Sequence, residues 1–198
     1  TELVTKVDSI AMSATATPAT VCEGGTVQLN STATLATPLD AYYTYSASTG
    51  VALADTTGST TIIGTSNDDT PAAGTEFFPF DYEGVNYTHF SVSPDGWVNL
   101  RTVVTAATSD FSNDIAAPGN NPTIGALWDD NATGPDGYVK YLVSGTAPNR
   151  VLVLHWFVAG SRSLTSNPAT ASFQVLLYET SNKIEYRYGT ISLYNAAP

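Results

Sequence analysis

The stretch Asp129-Asp130-Asn131-Ala132-Thr133-Gly134 sets side-chain oxygens at alternate positions and closes on a glycine. That is the spacing with which a loop wraps a hard, oxygen-seeking cation such as Ca²⁺. The twelfth position of the frame is Lys140, where a bidentate carboxylate would be needed, so a helix-flanked EF-hand is excluded. What remains is a looser Ca²⁺ site drawing on Asp129, Asp130, Asn131 and Asp136, against a default of a solvated acidic loop. Two further oxygen-rich loops, Asn67-Asp68-Asp69 and Asp110 with Asn113 and Asp114, read as turns, because Asn and Asp side chains bond to their own backbone.

Groups for other chemistry are sparse. His89 and His155 are far apart and each falls inside a strand pattern; His155, between Leu154 and Trp156, reads as a packed side chain before a catalytic base. There is no Gly-x-Ser-x-Gly elbow, no His-Glu-x-x-His and no phosphate loop. Glu179 and Glu185 could meet across the last hairpin as a glycosidase pair would, but that chemistry also needs a cleft. The single cysteine, Cys22, excludes an internal disulfide and a cysteine-based zinc site, and reads as a small buried thiol. The expectation is a protein that is not an enzyme, with no cofactor beyond the Ca²⁺ considered above.

Charge narrows the partners. With 7 Lys+Arg against 18 Asp+Glu the formal net charge is -11, which excludes the basic footprint that nucleic acid or an anionic membrane surface requires. No apolar run approaches the roughly 18–20 residues of a spanning helix, so no membrane insertion is expected. The chain opens on Thr1, without a basic and apolar leader, and is expected to be a processed or excerpted piece. Only 13% of residues are charged, so Thr, Ser, Asn and Gly must supply the polar surface.

The elements that must position these groups are strands. Residues 1–40 hold no aromatic side chain and are rich in Thr, Ala and Val, which favours an extended arm. Leu3 to Val7 or Ala11 to Val21 is the expected assembly strand, with Leu3, Val4, Val7, Ile10 and Val21 as its apolar residues, donated to the sheet of a neighbour. From residue 41 to 198 strands are expected at Tyr42 to Ser46, Phe77 to Tyr82, Tyr87 to Val92, Trp97 to Leu100, Tyr138 to Val143, Val151 to Val158, Phe173 to Tyr178 and Ile184 to Tyr188. Pro94-Asp95-Gly96 predicts a tight turn joining Phe90 to Leu100, since Pro presets φ and Gly accepts a positive one. Val151 to Phe157 is apolar on both faces and should be a central strand, whereas Ile184 to Tyr188 alternates and should bury one face. With no 3.6-residue apolar period and with 15 Gly and 11 Pro, the fold class is all-β, an antiparallel jelly-roll-like sandwich with an N-terminal arm. Trp97, Trp128 and Trp156 are expected to seal its core.

Four motifs then stand in order: Phe77 to Thr88, Val92-Ser93-Pro94-Asp95-Gly96-Trp97-Val98, Ile124-Gly125-Ala126-Leu127-Trp128-Asp129-Asp130, and Phe173 to Glu179 followed by Ile184 to Gly189. Over residues 41–190 the chain resembles a β-sandwich module of secreted and cell-surface Bacteroidota proteins, with a looser likeness to the nidogen extracellular domain. Pro94-Asp95 departs from the Ser-Asn pair usual there. Pro18 to Leu29 resembles the opening of immunoglobulin-like modules of bacterial surface proteins.

The resemblance implies a non-catalytic extracellular module of adhesins or type IX secretion cargo, with self-association or neighbouring domains of the same polypeptide as partners. It also implies O-glycosylation at Ser9 and Thr56, in Asp8-Ser9-Ile10 and Asp55-Thr56-Thr57. Asn30, Asn86 and Asn131 match the N-glycosylation pattern by chance in a Ser- and Thr-rich chain. The alternative function is a carbohydrate-binding module that stacks surface glycans on Tyr42, Tyr43, Tyr45 or an exposed Trp.

Overall fold

A computed structural model of the chain describes residues 10–17, 28–35, 43–114, 122–159 and 168–192, the first two segments as backbone only. Every regular element among them is a strand: β1 (Ile10–Thr17), β2 (Gln28–Leu35), β3 (Thr60–Ile63), β4 (Ala72–Ala73), β5 (Phe80–Tyr82), β6 (Val85–Tyr87), β7 (His89–Ser93), β8 (Trp97–Arg101), β9 (Thr123–Gly125), β10 (Tyr138–Ser144), β11 (Val151–Val158), β12 (Ala171–Tyr178) and β13 (Ile184–Ile191). The chain divides into two units, Thr1–Ser48 and Thr49–Pro198. In the first, β1 and β2 pair antiparallel, from Ile10 opposite Leu35 to Thr17 opposite Gln28.

The second unit is an antiparallel β-sandwich. One sheet runs β13-β12-β11-β10-β3, the other β4-β7-β8-β9, and β5-β6 forms a short ribbon. The period-2 alternation of strands sends Leu152, Leu154, Trp156 and Val158 of β11 and Phe173, Val175 and Leu177 of β12 toward the same core as Phe90, Val92, Val98 and Leu100 of the smaller sheet. The ring of Trp156 stacks on Phe173 with centroids 5.4 Å apart, and its Nε1–H donates to the Ser93 carbonyl at 2.8 Å. Strand β11 is the middle of five, as its two apolar faces require. Its neighbour's outer-face side chain, Gln174, is also buried: its Oε1 accepts from the Ala54 amide at 2.8 Å and its Nε2 donates to the Ala54 carbonyl at 3.0 Å, so residues near Ala54 cover that face. The smaller sheet is closed outside in the same way, where the indoles of Trp97 and Trp128 both donate to the Asp110 carbonyl.

Four expected strands differ, one of them Tyr87 to Val92, where Tyr87 closes β6 and β7 begins only at His89. Residues 43–48 form no strand, because the tyrosine preference for sheets reflects packing on neighbours and not an intrinsic backbone choice. Strand β5 begins only at Phe80, since Pro79 has no N–H to give a ladder, although Phe77 and Phe78 before it are buried. Strand β13 lies at a sheet edge, and Tyr186 and Tyr188 are 42% and 49% exposed where alternation predicted burial.

Candidate cation site

The β7–β8 turn, Ser93 to Gly96, is buried over its whole length, an uncommon place for a hairpin tip. What covers it is the loop between β9 and β10. Ala126 N–H donates to the Gly96 carbonyl at 3.0 Å, Asp129 N–H to the Asp95 carbonyl at 3.1 Å, and Asn131 Nδ2 to the Leu127 carbonyl at 2.9 Å. Gly96 makes the approach possible: its φ is +84°, and a Cβ there would stand 2.1 Å from the Leu127 oxygen. The Asp95 side chain is therefore 0% exposed. Its Oδ2 accepts from the Ser93 hydroxyl at 2.6 Å, while its Oδ1 has no hydrogen-bond partner.

A third segment closes on the same place. After β3 the chain turns through Ser66, at φ +58°, and is clamped to the β9–β10 loop. Asn67 N–H donates to Thr133 Oγ1 at 2.9 Å and Thr133 N–H returns to the Asn67 carbonyl at 2.9 Å. Asn67 Oδ1 also accepts from the Thr70 amide at 3.0 Å, which fixes the two aspartates between them. Carboxylate oxygens of Asp68, Asp69 and Asp130 lie within 4.8 Å of one another, and Oδ1 of Asp68 and of Asp69 is buried without a partner.

The electrostatics follow from crowding like charges away from water. Burial, then the Asp69 and Asp130 carboxylates, pushes Asp68 above the ordinary carboxylate range, and burial with Asp130 does the same to Asp69. Asp95 is pushed up to about 8, chiefly by burial, against the Ser93 hydrogen bond and with Asp69 and Asp130 adding to the rise. Four cations among the described residues are engaged elsewhere: Arg150 with Glu179, Lys183 and Arg187 with Glu185, and Lys140 over the Tyr138 ring.

Of the four oxygen donors expected in a Ca²⁺ loop, only Asp130 joins this cluster. Asn131 is buried and gives its amide to backbone carbonyls, which also removes it as a glycan acceptor. Asp136 accepts from the Ala169 amide at 2.7 Å, and Asp129 from the Asp130 amide at 2.9 Å. Asp68 and Asp69, read as a plain turn, supply two of the converging carboxylates, and Asp95 was read only as a turn residue. Thr56 sits half-buried in a turn where Asp55 Oδ1 holds Thr57. Ile10 lies in β1 opposite Leu35, and Leu3, Val4, Val7, Ser9, Val21 and Cys22 lie outside the described residues.

The remaining titratable candidates have structural partners. Glu179 is held down near 2 by its paired hydrogen bonds with Arg150, and Glu185, near 2 against the cost of its burial, by Lys183, Tyr178 and Arg187. The two carboxylates are thus drawn to different partners. Trp97 and Trp156 are fully buried and Trp128 is half-buried, so the first two offer no stacking platform. His155 is 8% exposed, with Nε2 3.0 Å from Ser172 Oγ, and burial with nearby Lys140 lowers it to about 4. The unfolded chain takes its proton near 6.5 and the folded chain resists until about 4, so stability is lost as pH falls through that window. The expected loss is roughly 1–2 kcal/mol, less than the full shift implies because the ring edge still meets solvent. Denaturation at pH 7 and pH 4 of the wild type and of His155→Gln checks this: the variant should lose that much less across the interval, and equal losses would refute it.

A family model described as NIDO related matches residues 42–197. The chain belongs to the NIDO-related family. The match takes in the four ordered motifs between Phe77 and Gly189 and the loose nidogen likeness they carried. It also takes in Asp95 and the three carboxylates of the cluster, Asp68, Asp69 and Asp130. No curated protein and no solved structure matches the chain significantly.

Proposed function

We propose that this NIDO-related chain is a non-catalytic structural module that works outside the cell and joins copies of itself, or neighbouring domains of its own polypeptide, through its N-terminal hairpin. The observation that carries the reading is the β1–β2 hairpin. Among the described residues it forms a sheet of two strands, and a sheet of that size is marginal in water unless something adds to it. Both strands are eight residues long and hold no charged side chain, whereas exposed sheet edges are ordinarily blunted by charge. A strand from another copy would satisfy the outer backbone groups and complete a third member of the sheet. An acidic surface of Thr, Ser and Asn with few long charged side chains is consistent with display at a cell surface.

The intact chain is expected to form oligomers or filaments in light scattering and negative-stain microscopy, and a variant lacking residues 1–35 to run as a monomer with an unchanged β-type circular dichroism spectrum. A monomeric intact chain, or association unchanged by the deletion, would overturn the reading.

A further inference from the structure

We propose that Asp68, Asp69, Asp95 and Asp130 are the protein ligands of one calcium ion, which ties the loop after β3 to the buried β7–β8 turn and to the β9–β10 loop. A cluster of acidic side chains is common on protein surfaces, but Asp95 is not on the surface. It is 0% exposed, one of its oxygens has no partner, and its carbonyl accepts from the Asp129 N–H at 3.1 Å, one residue from Asp130. Two more orphaned oxygens, on Asp68 and Asp69, accompany it. Burying a carboxylate oxygen with nothing to receive its charge is among the costliest arrangements a fold can contain, and a cation is the partner that removes the cost from all of them at once.

The geometry fits a large, hard ion. Calcium–oxygen bonds of about 2.3–2.6 Å place ligand oxygens on opposite sides of the ion roughly 4.6–5.2 Å apart, and neighbouring ones closer. The oxygens of Asp68, Asp69 and Asp130 fall within 4.8 Å of each other, inside that span. The donors are oxygen alone, with no His or Cys in the cluster, which disfavours zinc and copper. They come from three segments joined by backbone hydrogen bonds, a setting that suits the adjustable coordination of Ca²⁺ better than the strict octahedron of Mg²⁺. Backbone carbonyls or water would complete the shell.

The test uses the full chain after chelation and dialysis, titrated with CaCl₂ or MgCl₂ at pH 7.5 and followed by calorimetry and thermal unfolding. One Ca²⁺ per chain is expected, with a rise in Tm on the order of 5 °C at saturating ion, and with at least tenfold more Mg²⁺ needed for the same rise. Asp95→Asn keeps the shape of the side chain but takes away the carboxylate that would ionise onto the cation, so its metal-free Tm should stay close to that of the wild type while its calcium response disappears. Asp69→Asn should weaken the response at least tenfold, and Asp129→Asn, altering an exposed neighbour, should leave it intact. Absence of calcium binding by the wild type, an unchanged response in Asp95→Asn, or a response to Mg²⁺ at equal or lower concentration would overturn the assignment.

Discussion

Replacing Gly96 by alanine is expected to destabilise the sandwich by about 3 kcal/mol or more, well beyond what its backbone conformation alone would cost. A left-handed φ costs a residue with a side chain roughly 1–2 kcal/mol. Gly58 has nearly the same φ, +79° against +84°, but nothing within 4 Å of the position a Cβ would take, so Gly58→Ala isolates that term. At Gly96 the added methyl meets the Leu127 carbonyl oxygen at 2.1 Å and its carbon at 2.7 Å. Those atoms are backbone, and they cannot swing aside without pulling Ala126 N–H from the Gly96 carbonyl and Asp129 N–H from the Asp95 carbonyl. Denaturant titration of both variants decides the matter: costs equal within about 0.5 kcal/mol would mean that the loop is not seated on the turn as described.

Trp156→Ala is expected to be as damaging, at about 3–5 kcal/mol, the range found when a large buried ring is deleted and its space only partly refills. The indole is fully buried and stacked on Phe173, and it also satisfies the carbonyl of Ser93, the residue that opens the buried turn. Trp156→Phe separates the two contributions. It keeps an aromatic ring against Phe173 but removes one donor to the Ser93 carbonyl, which retains the Gly96 N–H at 3.3 Å, for an expected loss of about 1–2 kcal/mol. Both values follow from denaturation monitored by circular dichroism, which does not depend on the fluorophore being removed. A cost below about 2 kcal/mol for the alanine variant would contradict the packing.

Much of the sandwich was legible because its signals are local. The apolar run of β11 announced a strand covered on both faces, and Pro94-Asp95-Gly96 announced the hairpin that sets Phe90 opposite Leu100. The position of β13 was not legible: alternation of Ile184, Glu185, Tyr186 and Arg187 tells which residues share a face, but not that the strand ends a sheet with two tyrosines partly uncovered. The acidic cluster was legible only in part. Spacing within one loop pointed to Asp130, yet its companions arrive from two other loops, and which loops meet is decided by strand pairing far along the chain. Asp95 gave least warning, since Pro-Asp-Gly turns ordinarily face water and only the loop lying over Gly96 buries this one.

The pairing of β3 bears on the order in which the molecule is made. Thr61 finds its place beside Lys140, so the first strand of the larger sheet to leave a ribosome or a translocation pore has nothing to join until most of the chain has followed it. The strands from β10 to β13 are each paired with the next and can close as they emerge. Contacts between distant segments are the slow ones to form, which makes docking of β3 a late event in vectorial folding. Until then its ladder partner on β10 stays open, and this interval is when the chain most needs to be kept apart from its copies.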